Sequence, residues 1–88
     1  MEIATLGIDL GKNSCGVVGL DRTGRVVMRR RMQRATIVKF AAGLNRCVIA
    51  MEASCGSHHL GRILQGQGHE IRLMSASLSQ DTKDPRTL

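Results

Sequence analysis

Leu6-Gly7-Ile8-Asp9-Leu10-Gly11 near the N-terminus and Val48-Ile49-Ala50-Met51-Glu52 in mid-chain decide how this sequence folds. Each is a short, nearly continuous apolar run that carries a carboxylate at or near its end. The first, extended back to Ile3, suits a central strand buried on both faces. The second, Cys47 to Met51, reads as a short apolar strand ending at Glu52.

The intervening residues supply the rest of a sheet. Gly11-Lys12-Asn13 breaks the first run, and Ser14 to Leu20, small and β-branched, forms a second strand. Asp21-Arg22-Thr23-Gly24 is a turn, with Gly24 placed for a positive φ. Arg25 to Met32 is a third strand, with Val26, Met28, Arg30 and Met32 on one face and Arg25, Val27, Arg29 and Arg31 on the other. So many arginines mark it as an edge strand, where charge discourages unwanted pairing. The period then changes. Ile37, Phe40, Ala41 and Leu44 fall at i, i+3, i+4 and i+7, one face of a helix that Thr36 is placed to cap. A second helix runs from about Ser57 to Gln65, capped by Ser57, with Leu60, Ile63 and Leu64 inward and Gly66 or Gly68 at its end. Glu70 to Met74 is the last strand.

The order is β-β-β-α-β-α-β, a mixed α/β sheet. Its first three strands form a meander, and the later ones add in parallel by right-handed crossovers. Residues 1–74 form one domain. Ser75 to Leu88 holds the only proline, shows no helical or strand period, and reads as a disordered tail.

Composition narrows the function. The chain has 88 residues, and Phe40 is its only aromatic residue, so the core must be aliphatic and no platform for stacking bases exists. Thirteen Lys and Arg against seven Asp and Glu leave a net charge of +6, which favours a polyanionic partner or, alternatively, only solvates the surface. Cys15, Cys47 and Cys55 are an odd number at irregular spacing. The N-terminus lacks a signal-peptide pattern, and no apolar run nears the roughly 20 residues of a membrane span. The expectation is a cytoplasmic protein with reduced thiols and no membrane partner.

Asp9 and Glu52 are the candidate site. Ligands of open α/β sheets gather at the carboxyl ends of strands, and neighbouring strands one and four would bring both groups to one edge. Two carboxylates can begin a Mg²⁺ site, because Mg²⁺ prefers hard oxygen ligands. Metal ions there could activate water or a hydroxyl and stabilise the leaving oxygen of a phosphodiester. Buried in apolar runs, ionised carboxylates would need such a partner. The alternative is structural: Asp9 shapes the turn with Gly11, and Glu52 caps the next helix. Lys12, Arg29 and Arg31 are candidate phosphate contacts, against solvated-turn and edge-protection alternatives. His58 could reach a phosphate or a metal-bound water. Cys55, His58 and His59 have spacing compatible with one helical face, but a zinc site needs four ligands.

These residues also carry a resemblance. Leu6-Gly7-Ile8-Asp9-Leu10-Gly11-Lys12-Asn13-Ser14, Val17-Val18-Gly19-Leu20-Asp21 and Gly24-Arg25-Val26-Val27 resemble the opening of the DEDD-type transposases of the insertion-sequence family numbered one hundred and ten. The likeness continues through Ala50 to Arg62 and through Gly68 to Met74. It implies a RuvC-like, RNase H-like N-terminal domain in which four acidic residues bind divalent metal, Mg²⁺ or Mn²⁺. Asp9 matches the first acidic position and Glu52 the second. It further implies DNA as substrate, a structured guide RNA as a second partner, and a separate domain with a catalytic serine. The other acidic pair is an Asp-x-x-Asp motif on a helix after the fifth strand. Asp81 and Asp84 have that spacing, but they follow Met74 closely and run into Pro85, which disfavours helix at Asp84, so they read as a chance match. The resemblance fades from Ser75, as truncation or a frameshift would cause. The expectation is therefore a C-terminally truncated fragment, incomplete as a sheet domain and inactive alone, with homo-oligomers confined to the full-length form. Two other functions fit parts of the sequence: a standalone basic nucleic-acid-binding module, and an actin-like ATPase lobe, whose phosphate loop Gly7 to Gly11 also resembles.

Overall fold

The computed structural model describes residues 2–74. Asp81, Asp84 and the expected tail at 75–88 lie outside the described residues, as does the side chain of Cys55. Five strands and two helices follow in the order β1 (Thr5–Leu10), β2 (Cys15–Leu20), β3 (Val26–Met32), α1 (Arg34–Ala42), β4 (Val48–Glu52), α2 (Cys55–Gly66) and β5 (Glu70–Met74). They form one mixed sheet with strand order β3-β2-β1-β4-β5. β1 pairs antiparallel with β2, β2 antiparallel with β3, β1 parallel with β4, and β4 parallel with β5. The meander, the parallel addition and the edge position of β3 all match the sequence reading.

Alternation along the strands explains the single core. Leu6 and Ile8 of β1, Cys15 and Val17 of β2, Met28 and Met32 of β3, and Ile49 and Met51 of β4 bury one face of the sheet. Ile37 and Ala41 of α1 and Leu60 and Leu64 of α2 join the same cluster, so both helices cover that face. Burying each large aliphatic side chain contributes about 2 kcal/mol, the main favourable term in a core without a buried large aromatic. The opposite face carries Thr5, Gly7 and Asp9 of β1 and Val48, Ala50 and Glu52 of β4, half-buried or exposed. β1 is thus central but buried on one face, not two. No described helix packs on the other side, so the apolar run does not imply two-sided cover.

Both helix starts differ from the expected ones. Helix α1 begins at Arg34 behind Gln33, whose side chain makes no capping bond, so Thr36 lies inside the helix. An Arg34 Nη2 bond to the Gly11 carbonyl, 3.2 Å, ties that start to the end of β1. The α2 N-cap is Ser54, not Ser57. Ser54 Oγ accepts from the Ser57 N–H while Ser57 Oγ accepts from the Ser54 N–H, a reciprocal capping box with serine in both places. Ile63 is 38% exposed rather than inward, because the buried stripe of α2 runs through Ser57, Leu60, Gly61 and Leu64. Gly24 has φ +87°, as its turn requires, and Gly68, at φ +103°, lies just beyond the end of α2. No helix among the described residues is long and apolar enough to cross a membrane.

Candidate functional site

The site follows from strand register. Ile8 of β1 pairs with Met51 of β4, so Asp9 and Glu52 stand one step further along, on adjacent parallel strands about 4.8 Å apart. Both are exposed and belong to the uncovered face, at the carboxyl ends of their strands. Their apolar sequence neighbours point the other way. The expected cost of burying them therefore does not arise, and the pair needs no partner for the fold to hold.

The same register arranges the whole face in rows. Arg31 lies beside Gly16, Gly16 beside Asp9, and Met74 beside Glu52. The next row holds Arg29, Val18, Gly7, Ala50 and Arg72. Small residues in the middle and long side chains at the flanks leave a depression of about 700 Å³, lined by Gly7, Asp9, Gly16, Arg29, Arg31 and Glu52 among others. A Cβ on Gly16 would meet only the Asp9 Cβ, at 3.8 Å, and one on Gly7 only the Val18 carbonyl, at 3.9 Å. Both are ordinary contacts, so the fold would accept side chains there, and glycine leaves the floor bare. Gly11 differs. A Cβ there would overlap the backbone carbonyl of Ser14, so the tight turn after β1 demands glycine.

The structure brings Asp9, Glu52, Arg29 and Arg31 to one face. Lys12 is exposed in the turn just after β1, near the same edge but outside the depression. His58 and His59 are exposed in the first turns of α2, and neither lines the depression. His69 sits at the opposite end of the sheet, before β5. Among the described residues no three His, Cys, Asp or Glu side chains converge, so the acidic site comprises two carboxylates there.

The sequence reading missed three features, and the first two join residues far apart in the chain. His69 is buried, its Nδ1 accepting from the Cys47 N–H at 3.2 Å and its Nε2 lying 2.8 Å from the Ala41 carbonyl. Since Nδ1 accepts, Nε2 carries the proton and donates, and the ring joins α1, β4 and β5. Cys47 Sγ lies 3.6 Å from the same Nδ1. Burial pushes that thiol above its ordinary 9.0, so Cys47 and the fully buried Cys15 act as small hydrophobes. Arg31 Nε donates to Ser14 Oγ at 3.2 Å, the second missed feature. The third is the Ser54–Ser57 capping box, which sets α2 directly behind Glu52.

No protein-family model matches the chain. It is similar to the transposase for insertion sequence element IS1328 of Yersinia enterocolitica, 34% identical over 74 residues, which cover 84% of this chain and 22% of that protein. It is 39% identical over 75 residues to a probable family 20 transposase of Pseudomonas aeruginosa, covering 85% of this chain and 22% of the relative. A putative transposase of Sinorhizobium fredii is 32% identical over 79 residues, covering 90% of this chain and 20% of the relative. Most of this chain thus resembles one portion of proteins named transposases, and it spans about a fifth of the length of the curated relatives it matches.

Proposed function

We propose that this chain is part of a DNA transposase, its RuvC-like, RNase H-like portion, in which Asp9 and Glu52 hold a divalent cation against a DNA phosphodiester. The observation that carries the reading is the placement of these two carboxylates on adjacent parallel strands, on one face, at the strand ends. The β-β-β-α-β-α-β order supports the fold assignment, and likeness to proteins named transposases supports the role. The donor set fits Mg²⁺ or Mn²⁺, which are commonly bound through one or two carboxylates with water and substrate phosphates filling the remaining positions. When bound, such an ion supplies Lewis acidity and neutralises charge on the phosphate. The chain's own part is to present two hard oxygen donors beside an open floor, flanked by arginines that attract the nucleic-acid backbone.

Two carboxylates are half of the acidic set that the resemblance implies. The chain alone therefore binds metal weakly and does not cut DNA. The structured guide RNA and the homo-oligomer belong to the full-length protein in this reading. The test is Mn²⁺ binding followed by water-proton relaxation, with Asp9→Asn and Glu52→Gln as variants. Weak binding lost in either variant supports the reading, whereas binding that survives both removes the metal site. DNA nicking by the chain that Asp9→Asn abolishes would refute the inactivity of the fragment.

A further inference from the structure

Arg31 projects from edge strand β3 onto the uncovered face, in the same transverse row as Gly16 and Asp9. Its Nε is engaged by Ser14 Oγ at 3.2 Å, and one terminal nitrogen reaches to within 4.0 Å of where a Gly11 Cβ would stand. The guanidinium therefore leans over the turn that follows β1, two residues from Asp9, although its backbone lies two strands away. The ion pairs among the described residues are Arg22 with Glu2 and Arg72 with Glu70, so no described carboxylate neutralises Arg31. Between it and the acidic pair stands Gly16, whose missing side chain leaves room that packing does not require.

We infer that Arg31, oriented by Ser14, and the bare floor at Gly16 form a phosphate-binding subsite next to the Asp9–Glu52 pair. A nucleic-acid backbone seated there crosses the sheet from β3 towards β5, with the phosphate neighbouring the acidic pair held by Arg31. This rests on the reading of the face as a site for a phosphodiester, but not on a bound metal. The tether makes Arg31 more than one cation among many. A guanidinium can spend Nε on Ser14 and still offer its two terminal nitrogens to a phosphate, an arrangement closed to lysine. Holding the side chain in place beforehand also lowers the entropy lost on binding. Lys39, exposed on α1 behind the opposite face of the sheet and outside the depression, serves as the control.

The experiment is anisotropy of a short fluorescein-labelled DNA duplex titrated with the full chain at several salt concentrations, in EDTA. Arg31→Ala should weaken binding about tenfold, as loss of a charge-assisted phosphate contact does. It should also reduce the slope of affinity against salt by about 1. Arg31→Lys keeps the charge but loses the tether, and it should recover little of the loss. Ser14→Ala should fall between wild type and Arg31→Lys. Lys39→Ala should change affinity by less than about twofold, since it removes only distant charge. Arg31→Lys binding like wild type would overturn the proposal, as would Arg31→Ala and Lys39→Ala weakening binding equally, or a wild type that does not bind. Arg31 is exposed, and far-UV circular dichroism of each variant checks that the fold is retained. Because EDTA is present, failure of the metal reading leaves these outcomes unchanged.

Discussion

Replacing His69 by alanine removes a side chain that ties the starts of β4 and β5 to α1. The imidazole is 4% exposed, and it satisfies the Cys47 N–H through Nδ1 and the Ala41 carbonyl through Nε2. Truncation leaves a buried donor and a buried acceptor unpaired, at about 1–3 kcal/mol each. Lost packing of the ring adds roughly 1 kcal/mol, so His69→Ala should cost about 4 kcal/mol. For a domain whose total stability is on the order of 5 kcal/mol, that is most of it. The partial variants separate the two bonds. His69→Asn keeps an acceptor near the Nδ1 position, and His69→Gln keeps a donor near Nε2, so each should cost about half as much. Urea denaturation followed by far-UV circular dichroism is the assay, since Phe40 is the only aromatic residue. With a slope of about 1 kcal/mol per molar urea, His69→Ala should lower the midpoint by about 3–4 M. A shift under about 1 M would refute the reasoning, because the two backbone groups would then have found water or each other.

Three further outcomes follow, two from glycine positions and one from a turn. Gly66→Ala at the end of α2 places a Cβ where no atom lies within 4 Å, and it should stabilise the protein by about 0.5–1 kcal/mol. Gly11→Ala sets a Cβ against the Ser14 carbonyl and should destabilise by about 2 kcal/mol or more, both read from thermal midpoints. The Asp21 carboxyl is held below its ordinary 3.8, chiefly by the Thr23 hydroxyl at 2.7 Å and then by the Arg25 N–H at 3.0 Å. A lowered value favours the fold above pH 3.8 and ceases to do so as pH falls through it. Wild type should therefore lose more thermal stability between about pH 5 and about pH 3 than Asp21→Asn does, and equal losses would contradict the turn geometry.

What could be read from the sequence was whatever repeats locally. Strand β5 begins at Glu70 and ends at Met74 as expected, and Gly24 takes the positive φ that its turn implied. Arginine-rich β3 is at the sheet edge, and β1 and β4 are neighbours. Helix starts were not legible, because two serines three apart can each cap. The structure has Ser54 as the cap, its backbone extended, with Ser57 inside the first turn. At α1 a tertiary tie from Arg34 to Gly11 replaces a side-chain cap altogether. Ile63 falls three residues after Leu60, and spacing alone puts it inside. The stripe that packs is centred between Ser57 and Leu64, which leaves Ile63 on its rim. His69 was invisible as a fastener because both its partners are more than twenty residues away.

The carboxylates show the same division more sharply. Their identity, order and approach across two strands follow from sequence, whereas their surroundings do not. Apolar neighbours suggested burial, yet alternation sends Leu6, Ile8, Ile49 and Met51 to the helices and Asp9 and Glu52 to the open side. The energetic consequence is large. Two unit charges about 5 Å apart repel by about 1 kcal/mol in a water-like medium and by several times that in a poorly screened one. Exposure keeps the pair near the lower figure, so the fold tolerates it without a cation. Asp9→Asn relieves repulsion and should leave stability unchanged or slightly raised, as trade-offs at functional sites commonly do. Loss of Mn²⁺ binding in that variant therefore reports on the site itself, and a simultaneous loss of stability would mean that Asp9 has a structural partner.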